Sequence, residues 1–448
     1  MKLNNQTLMS KQASKQKNKN QENTMQPLPS LPEDMIHEIL CKLPAKSLSR
    51  FRCVCKPWNI QVADPIFFNS SNKFTFIVRH GINKLYSLEY DNSSTPLSRF
   101  QDEGIKQIRH PFSFPNHNII PNIIDVKILG SCKGLACLSY FFNSCHLPCI
   151  WNPYTEEYKV VPISTALNPY RQYVDVRANG FGHDDNANEY IFINFTGSRV
   201  GRLGYPGSIV SAYSLKSNSW KQSLYIPYEF PFDKNTHTTP GLFCSGAFHW
   251  FAKSILEKNA SSSEVLIALD VGTGVVQEIP QPGSLDFDDK YVDVLGGCLV
   301  ILCSTKTESF EVWLMKDYGV RESWIKIYNI PRLMLFDVEP VVQCLRRIKC
   351  LKNGQIILEI EYYKTKRNTA TILILHDLKD GHRRALKFGE DIFNCVSYKP
   401  LNLETYVKSL VSLKWNTYVG NIEQEAQVVN EELAFSRQIY EVLIGMHN

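Results

Sequence analysis

The sequence predicts an α+β multidomain fold: a small N-terminal module of three helices, an all-β propeller-like domain of about six irregular blades, and a C-terminal helix. Apolar residues recur at helical spacing between residues 30 and 66. From residue 74 onward, short strands of aromatic and β-branched residues recur about every fifty residues. The predicted segments are a disordered tail at 1–27, the helical module at 28–70, the β domain at 71–413 and a helical tail at 414–448.

Composition limits the class of protein. The chain has 448 residues, of which 44% are apolar, so it can bury more than one hydrophobic core. Residues 1–60 carry a net charge of +6 and the rest of the chain about −1, which gives the +5 of the whole chain. The β domain has no clustered array of basic and aromatic residues, so nucleic acid is not an expected partner. No apolar run reaches the ~18 residues of a membrane helix. The thirteen cysteines follow no disulfide framework, so we expect a cytoplasmic or nuclear protein that does not bind a membrane.

Three short helices are predicted in the N-terminal module. Residues 30–33 have the form of a capping box, and apolar residues continue at helical spacing to Leu43. Pro44 ends this helix and opens a second one, which Pro57 breaks before a third helix begins near Trp58. About forty residues bury too little surface to be stable alone. The apolar side chains are therefore either core or a surface that buries against another chain or the β domain.

The module also carries a dense, ordered motif in the runs Leu31 to Leu40, Leu43 to Leu48 and Arg50 to Trp58. These runs closely resemble the F-box motif, which docks on a Skp1-type adaptor and through it on the cullin and RING subunits of a ubiquitin ligase. The resemblance implies adaptor-binding residues at Leu31, Pro32, Ile39, Leu40, Leu43, Pro44, Leu48, Val54 and Trp58. It also implies that Lys46, Arg50 and Arg52 speed association with the acidic adaptor.

Five β-hairpins recur in the β domain, and each follows a hydrophobic strand. They end at Pro162, Pro227, Pro280, Pro331 and Phe388. Units of three or four strands at this spacing are typical of a β-propeller, and a β-sandwich explains the repetition less well. The strands at 74–78 and 84–90 are expected to form half a blade, which a C-terminal strand near residues 395–403 completes.

Further landmarks lie at Gly130 to Leu135, Trp151 to Pro153, Gly180 to Gly182, Gly246 to Trp250 and Tyr406 to Leu410. With them the region resembles the plant F-box-associated domain, which occurs in kelch-repeat-like and S-locus F-box proteins. The resemblance implies that this domain captures the protein to be ubiquitinated. Trp151, Trp220, Trp250 and Trp313 are interpreted as blade core. The candidate substrate-binding loops are 91–122, 163–178, 197–208, 228–240 and 281–290. The alternative interpretation of each is a solvated loop without a binding role.

One cluster resembles a metal site. Cys132, Cys137, Cys145, His146 and Cys149 bring four thiols and an imidazole close together in sequence. They contain no Cys-x-x-Cys knuckle, and the first two lie within a strand-like run. They are therefore interpreted as buried thiols in β structure.

The leading functional hypothesis is a non-catalytic receptor that holds an unidentified protein substrate near a ubiquitin-conjugating enzyme. Residues 272–274 are interpreted as a hairpin turn, and no hydrolase, phosphate-loop or metalloprotease motif occurs in the sequence. We expect no catalytic residue, no metal and no cofactor. A propeller scaffold acting outside a ligase is the alternative, and a propeller hydrolase or lectin is a more distant one. The segment 421–444 either packs on the propeller or binds a partner.

Overall fold

The structure is a computed structural model of the 448-residue chain. It describes residues 31–43, 45–51, 53–63, 73–81, 83–91, 105–112, 125–142, 145–162, 176–197, 207–221, 223–230, 239–255, 264–283, 289–304, 309–331, 343–351, 354–365, 368–386 and 401–413. The predicted tails at 1–27 and 414–448 lie outside these residues. The chain divides into two compact units with the boundary between Pro44 and Ala45.

In the N-terminal region, the described helices are α1 (Glu33–Cys41), α2 (Ala45–Phe51) and α3 (Lys56–Ala63). Pro32 is the N-cap residue of α1 and makes no side-chain capping bond, while Ser30 of the predicted capping box lies outside the described residues. Pro57 does not break the second helix, because α2 already ends at Phe51. It lies instead in the first turn of α3, where proline is tolerated because that turn needs no backbone N–H donor.

The β domain consists of six sheets, numbered here as blades in chain order. Blade 1 contains β1 (Lys73–His80), β2 (Lys84–Asp91) and β3 (Ile105–Ile108). Blade 2 contains β4 (Asp125–Cys132), β5 (Leu135–Phe142), β6 (Cys145–Trp151) and β7 (Tyr158–Val160). Blade 3 contains β8 (Val176–Asp184), β9 (Glu189–Gly197), β10 (Ser208–Ser214), β11 (Ser219–Trp220) and β12 (Leu224–Ile226).

The remaining blades follow the same antiparallel order. Blade 4 contains β13 (Tyr228–Glu229), β15 (Leu242–Cys244), β16 (Ala247–Ser254), β17 (Glu264–Asp270) and β18 (Val276–Ile279). The short strand β14 (Thr239–Pro240) lies between β13 and β15 in the sequence but pairs with β8 of blade 3. Blade 5 contains β19 (Asp289–Leu295), β20 (Cys298–Ser304), β21 (Ser309–Met315) and β22 (Trp324–Pro331), with a 3-10 turn at Arg321–Ser323. Blade 6 contains β23 (Gln343–Cys350), β24 (Gln355–Thr365), β25 (Asn368–Asp377) and β26 (Arg383–Ala385).

Blade 1 is completed by the last described strand, β27 (Leu403–Tyr406), which pairs antiparallel with β1. The sequence predicts a closing strand near residues 395–403, whereas the described strand starts at Leu403, the last residue of that range, and runs to Tyr406. Residues 387–400 lie outside the described residues. The prediction of about six blades is confirmed. The interpretation of 91–122 as one loop is wrong, because β3 lies within it. This four-residue strand has too little apolar pattern to stand out in the sequence.

Six clusters of buried apolar side chains fill the seams between neighbouring blades. Each cluster draws its residues from two successive blades, and the cluster containing Val78 and Ile357 joins blade 6 back to blade 1. The described blades therefore form a closed ring, in which the packing of neighbouring blades protects the short strand edges. Trp151 and Trp250 are fully buried core residues, as predicted, and Trp220 and Trp313 are half-buried against two of the clusters.

The seam between blades 3 and 4 shows why glycine is needed near an aromatic core. A Cβ atom on Gly241 would lie 2.2 Å from Cζ2 of Trp250, and one on Gly180 would lie 2.7 Å from Cδ1 of Phe248. Both rings are buried and cannot move aside. The landmark Gly180 to Gly182 is therefore a packing requirement.

A buried charged group joins blades 5 and 6. Asp293 has no exposed surface, and one of its oxygens lies 2.6 Å from Nζ of Lys349 and 3.6 Å from a guanidinium nitrogen of Arg347. Its other oxygen accepts the backbone N–H of Ile348 at 2.8 Å. Arg347 also lies 3.5 Å from Glu404 of β27, so the ionic contacts continue from blade 5 through blade 6 to blade 1.

The same kind of contact joins blades 1 and 2. The Arg79 guanidinium, 1% exposed, donates to Asp125 at 2.8 Å and to the carbonyl of Val126 at 3.1 Å. Glu359 of blade 6 accepts the backbone N–H of Leu403 at 3.1 Å. Ionic and hydrogen-bonded contacts therefore cross the seams on both sides of the blade where the chain closes the ring.

The antiparallel order gives the ring two distinct faces. Strands are counted with β27 as the first strand of blade 1 and β15 as the first strand of blade 4. Turns between the first and second strands and between the third and fourth strands of a blade then lie on one face, named here the turn face. Described turns at this face are 133–134, 152–157, 185–188, 215–218, 245–246, 271–275, 296–297, 316–320 and 378–382. Connections between successive blades, and between second and third strands, leave the opposite face, named the loop face.

No helix among the described residues is long and apolar enough to cross a membrane.

Candidate functional site

The first candidate surface is an exposed apolar stripe at the start of the chain's described residues. Leu31, Met35 and Ile39 are 52%, 51% and 48% exposed, and they are spaced four residues apart along and just before α1. Met35 and Ile39 are four residues apart within α1 and therefore lie on one side of the helix, while Leu31 directly precedes the N-cap residue Pro32. Large apolar side chains that are exposed close together form a candidate interaction surface.

The structure divides the nine predicted adaptor-binding residues into groups. Those exposed are Leu31, Pro32, Ile39 and Val54; those half-buried are Leu43 and Trp58; those buried are Leu40 and Leu48; and Pro44 lies outside the described residues. In the second unit, the ring of Trp58 packs edge-on against Phe51, with centroids 5.4 Å apart. Leu31, Pro32, Ile39 and Val54 are therefore accessible at the surface, whereas the side chains of Leu40 and Leu48 are packed inside.

Among the predicted basic residues, Arg50 is exposed at the end of α2. The side chains of Lys46 and Arg52 lie outside the described portion of the chain. Sequence reasoning missed Met35, although its spacing of four residues from both Leu31 and Ile39 was a sufficient signal.

The second candidate surface is the loop face of the ring. The connections at 163–175, 198–206 and 284–288 join strand ends at this face, and 231–238 follows β13, which pairs with the loop-face end of β16. Most of the predicted substrate-binding loops therefore leave the ring on one side. Their residues lie outside the described portion of the chain, so the loop assignment stays a prediction. β2 ends and β3 begins at the turn face, so the strand ends joined by residues 92–104 lie on the opposite side of the ring.

The suspected metal cluster is divided by the fold. Cys137 and Cys149 are buried on opposite faces of blade 2, since the first packs in the seam with blade 3 and the second in the seam with blade 1. Burial raises the pKa of the half-buried Cys132 to about 12, so its thiol is not poised to ionise as a ligand. Among the described residues, from which the Cys145 side chain is missing, no group of His, Cys, Asp or Glu is arranged to hold a metal.

His249 lies in a buried strand of blade 4. It is 1% exposed on β16, its Nε2 atom lies 2.7 Å from the hydroxyl of Tyr318, and its Nδ1 atom lies 3.3 Å from the carbonyl oxygen of Leu242. Burial lowers its pKa to about 4. The imidazole therefore bridges blades 4 and 5 as a neutral structural group.

Acidification is expected to destabilise the propeller through His249. The folded pKa of about 4 lies below the ordinary value of 6.5, so the unfolded chain takes up a proton that the folded chain excludes. The contribution of neutral His249 to the free energy of unfolding is complete above about pH 6.5 and is lost as pH falls toward 4. At about pH 5 the free energy of unfolding is lower by on the order of 2 kcal/mol. Urea unfolding at about pH 7 and about pH 5 checks this for the wild type and His249→Gln.

The wild type should lose more stability than His249→Gln between the two pH values, whereas the exposed His382→Gln control should follow the wild type. Equal losses in the wild type and His249→Gln would contradict the prediction. Comparing variants isolates this imidazole from the other histidines.

The architecture places the chain in the class of β-propeller proteins, with six blades that follow a short helical region carrying an exposed apolar stripe. Comparison with known proteins gives the family. The model of the "F-box associated beta propeller domain" matches residues 76–413, and that of the "F-box domain" matches residues 28–70. The chain belongs to the F-box proteins with an F-box associated β-propeller domain.

Similar proteins occur in Arabidopsis thaliana. F-box protein CPR1 is 25% identical over 332 residues, covering 68% of this chain and 73% of that one. F-box/kelch-repeat protein At3g23880 is 25% identical over 317 residues, covering 68% of this chain and 81% of that one. F-box protein At3g07870 is 26% identical over 406 residues, covering 81% of this chain and 88% of that one. The homologues are thus plant F-box proteins.

Proposed function

We propose that this protein is the substrate-recognition subunit of a Skp1–cullin–F-box ubiquitin ligase. The F-box docks the Skp1-type adaptor, and the propeller recruits a protein substrate for ubiquitination and degradation. The observation that carries the proposal is the exposed stripe of Leu31, Met35 and Ile39 within the residues matched by the F-box domain. It offers apolar side chains to a partner at the position where the family has its adaptor-binding motif.

Adaptor docking rests on apolar burial. Each of the three stripe residues is about half exposed in the free chain. Covering side chains of this kind contributes on the order of 1 kcal/mol each or more, and interface centres concentrate that energy in a few residues. Val54, 61% exposed in the turn between α2 and α3, is a further candidate contact. Leu40 and Leu48 act indirectly, since their side chains have almost no exposed surface.

Substrate capture is assigned to the loop face. The strands of each blade are packed into the seams, so residue changes there disturb the fold, whereas changes in connections do not. The receptor itself performs no chemistry. It raises the effective concentration of substrate lysines near the ubiquitin-conjugating enzyme that the cullin and RING subunits bring.

Adaptor binding is tested with the double variant Leu31→Asp and Ile39→Asp. Placing two carboxylates in an apolar interface is expected to weaken binding to a Skp1-type adaptor by about 100-fold, which corresponds to roughly 3 kcal/mol. The measurement is the dissociation constant of the full chain for the purified adaptor. The matched control is Leu224→Asp with Tyr225→Asp, because these two propeller residues are both 49% exposed.

The control should bind the adaptor like the wild type. Wild-type affinity in the Leu31 and Ile39 double variant, with its thermal unfolding unchanged, would overturn the docking assignment. Substrates are then sought as proteins whose ubiquitination in plant cells depends on the intact stripe.

A further inference from the structure

The turn face carries exposed apolar side chains on three successive blades. Val275 of blade 4, Tyr318 and Val320 of blade 5, and Leu378 of blade 6 are 57%, 38%, 45% and 39% exposed. All four lie in the turns between the third and fourth strands, so they share this face. We name these four residues the turn-face rim. The proposed function does not use it, since substrate capture is assigned to the opposite face.

The end of the described chain runs along the same face toward the rim. Lys408 lies 2.7 Å from Glu89 of blade 1, and the hydroxyl of Ser409 donates to the carbonyl of Gly134 in a turn of blade 2. The backbone N–H of Leu413 donates at 2.8 Å to Glu157 in the next turn of blade 2.

Leu413 itself packs in the seam between blades 2 and 3. The chain therefore passes from blade 1 across blade 2 to the seam with blade 3. The last described residue thus lies beside blade 3, and the rim begins on the next blade.

The remaining sequence has the length and pattern to continue along this path. Residues 414–420, if extended, span about 23 Å at ~3.3 Å per residue. Residues 421–444, if helical, span about 36 Å. Within them a single helical stripe, at spacings of three, four and seven, contains Ile422, Val429, Leu433, Tyr440 and Leu443. A stripe of this kind is buried against apolar side chains, and the rim offers exposed apolar side chains on the three blades that follow blade 3.

We propose that the C-terminal segment 421–444 binds the turn-face rim of its own propeller as an amphipathic helix across blades 4 to 6. Tethering at Leu413 favours this occupant over any free partner, because the segment is held at high effective concentration beside the rim. The turn face is then covered by the chain itself, which leaves the loop face as the open side of the ring.

The test is photo-crosslinking in the full chain with Leu433→benzoylphenylalanine. An equal mixture of isotopically heavy and light protein is irradiated, and crosslinked peptides are identified by mass spectrometry. We expect intramolecular crosslinks to the turns at 271–275, 316–320 or 378–382. The pair Val320→Asp and Leu378→Asp should lower their yield about tenfold. The equally exposed pair Leu224→Asp and Tyr225→Asp, which lies on the outer edge of blade 3, should not.

Hydrogen exchange of residues 421–444 supplies a second measurement. Exchange should be slowed in the wild type and become fast in the Val320 and Leu378 double variant. Crosslinks between heavy and light protein would show that the segment binds a second copy of the chain. Crosslinks to the loop face, or fast hydrogen exchange of residues 421–444 in the wild type, would show that the segment does not bind the rim. Each of these results would overturn the proposal.

Discussion

Replacing Asp293 with alanine is expected to lower the free energy of unfolding by about 3 to 5 kcal/mol, the cost of breaking a buried ion pair by removing one partner. Asp293 has no exposed surface and binds Lys349 at 2.6 Å. Its removal leaves the buried cations of Lys349 and Arg347 without their shared counter-charge in the seam between blades 5 and 6. It also leaves the backbone N–H of Ile348 without its acceptor. The measurement is urea unfolding at about pH 7.

The control for this variant is Asp317→Ala, on the turn face of the same blade. Asp317 is exposed, so its replacement is expected to change stability by less than about 0.5 kcal/mol. A loss of less than about 1 kcal/mol for Asp293→Ala would show that water reaches Lys349 and Arg347, and that the charged contacts do not hold the seam.

Charged contacts fix the register of β27, the strand that closes the ring. Apolar clusters fill every described seam but specify register weakly, because many apolar pairings bury similar area. The contact of Arg347 with Glu404, and that of Glu359 with the backbone of Leu403, each require one position of β27. A closing strand held at one register fixes the strand ends from which the loop-face connections begin.

The blades could be predicted from the sequence because a hairpin is local. The strand from Glu264 to Asp270, the turn after it and the strand to Ile279 follow one another within a short stretch, and their apolar pattern and glycine are visible in order. The charged contacts could not be predicted. Asp293 and Lys349, or Arg347 and Glu404, are distant in sequence and meet only because the ring brings blades 5, 6 and 1 together.

The candidate adaptor surface was only partly predictable. The motif contained Leu31, Ile39 and Val54, which the structure leaves exposed. It contained Leu40 and Leu48 equally, and these are buried. Helical spacing shows which residues share a stripe, but it does not show which of two adjacent stripes faces inward, because both are apolar. The assignment of all nine residues to adaptor binding stays a prediction, and the double variant of Leu31 and Ile39 tests two of them.

Two landmarks of the F-box associated domain meet at one buried amide. Asn152, with no exposed surface, donates to the carbonyls of Ser409 at 3.1 Å and Val411 at 2.8 Å. Its oxygen accepts the backbone N–H of Tyr154 at 2.9 Å and the hydroxyl of Tyr406 at 3.2 Å. The amide therefore ties the C-terminal stretch to blade 2. The landmark residues are structural, which agrees with their interpretation from sequence.

Asn152→Ala is expected to lower the free energy of unfolding by about 4 kcal/mol, because several buried donors and acceptors lose their partner at once. Urea unfolding measures the loss, and the exposed Asn186→Ala in a turn of blade 3 is the control, expected within about 0.5 kcal/mol of the wild type. Hydrogen exchange should locate the effect: the amides of residues 403–413 should exchange faster, whereas those of β20 in blade 5 should change only as much as global stability does. Unchanged protection of residues 403–413 in Asn152→Ala would mean that the pairing of β27 with β1, and not Asn152, holds the chain end on the ring.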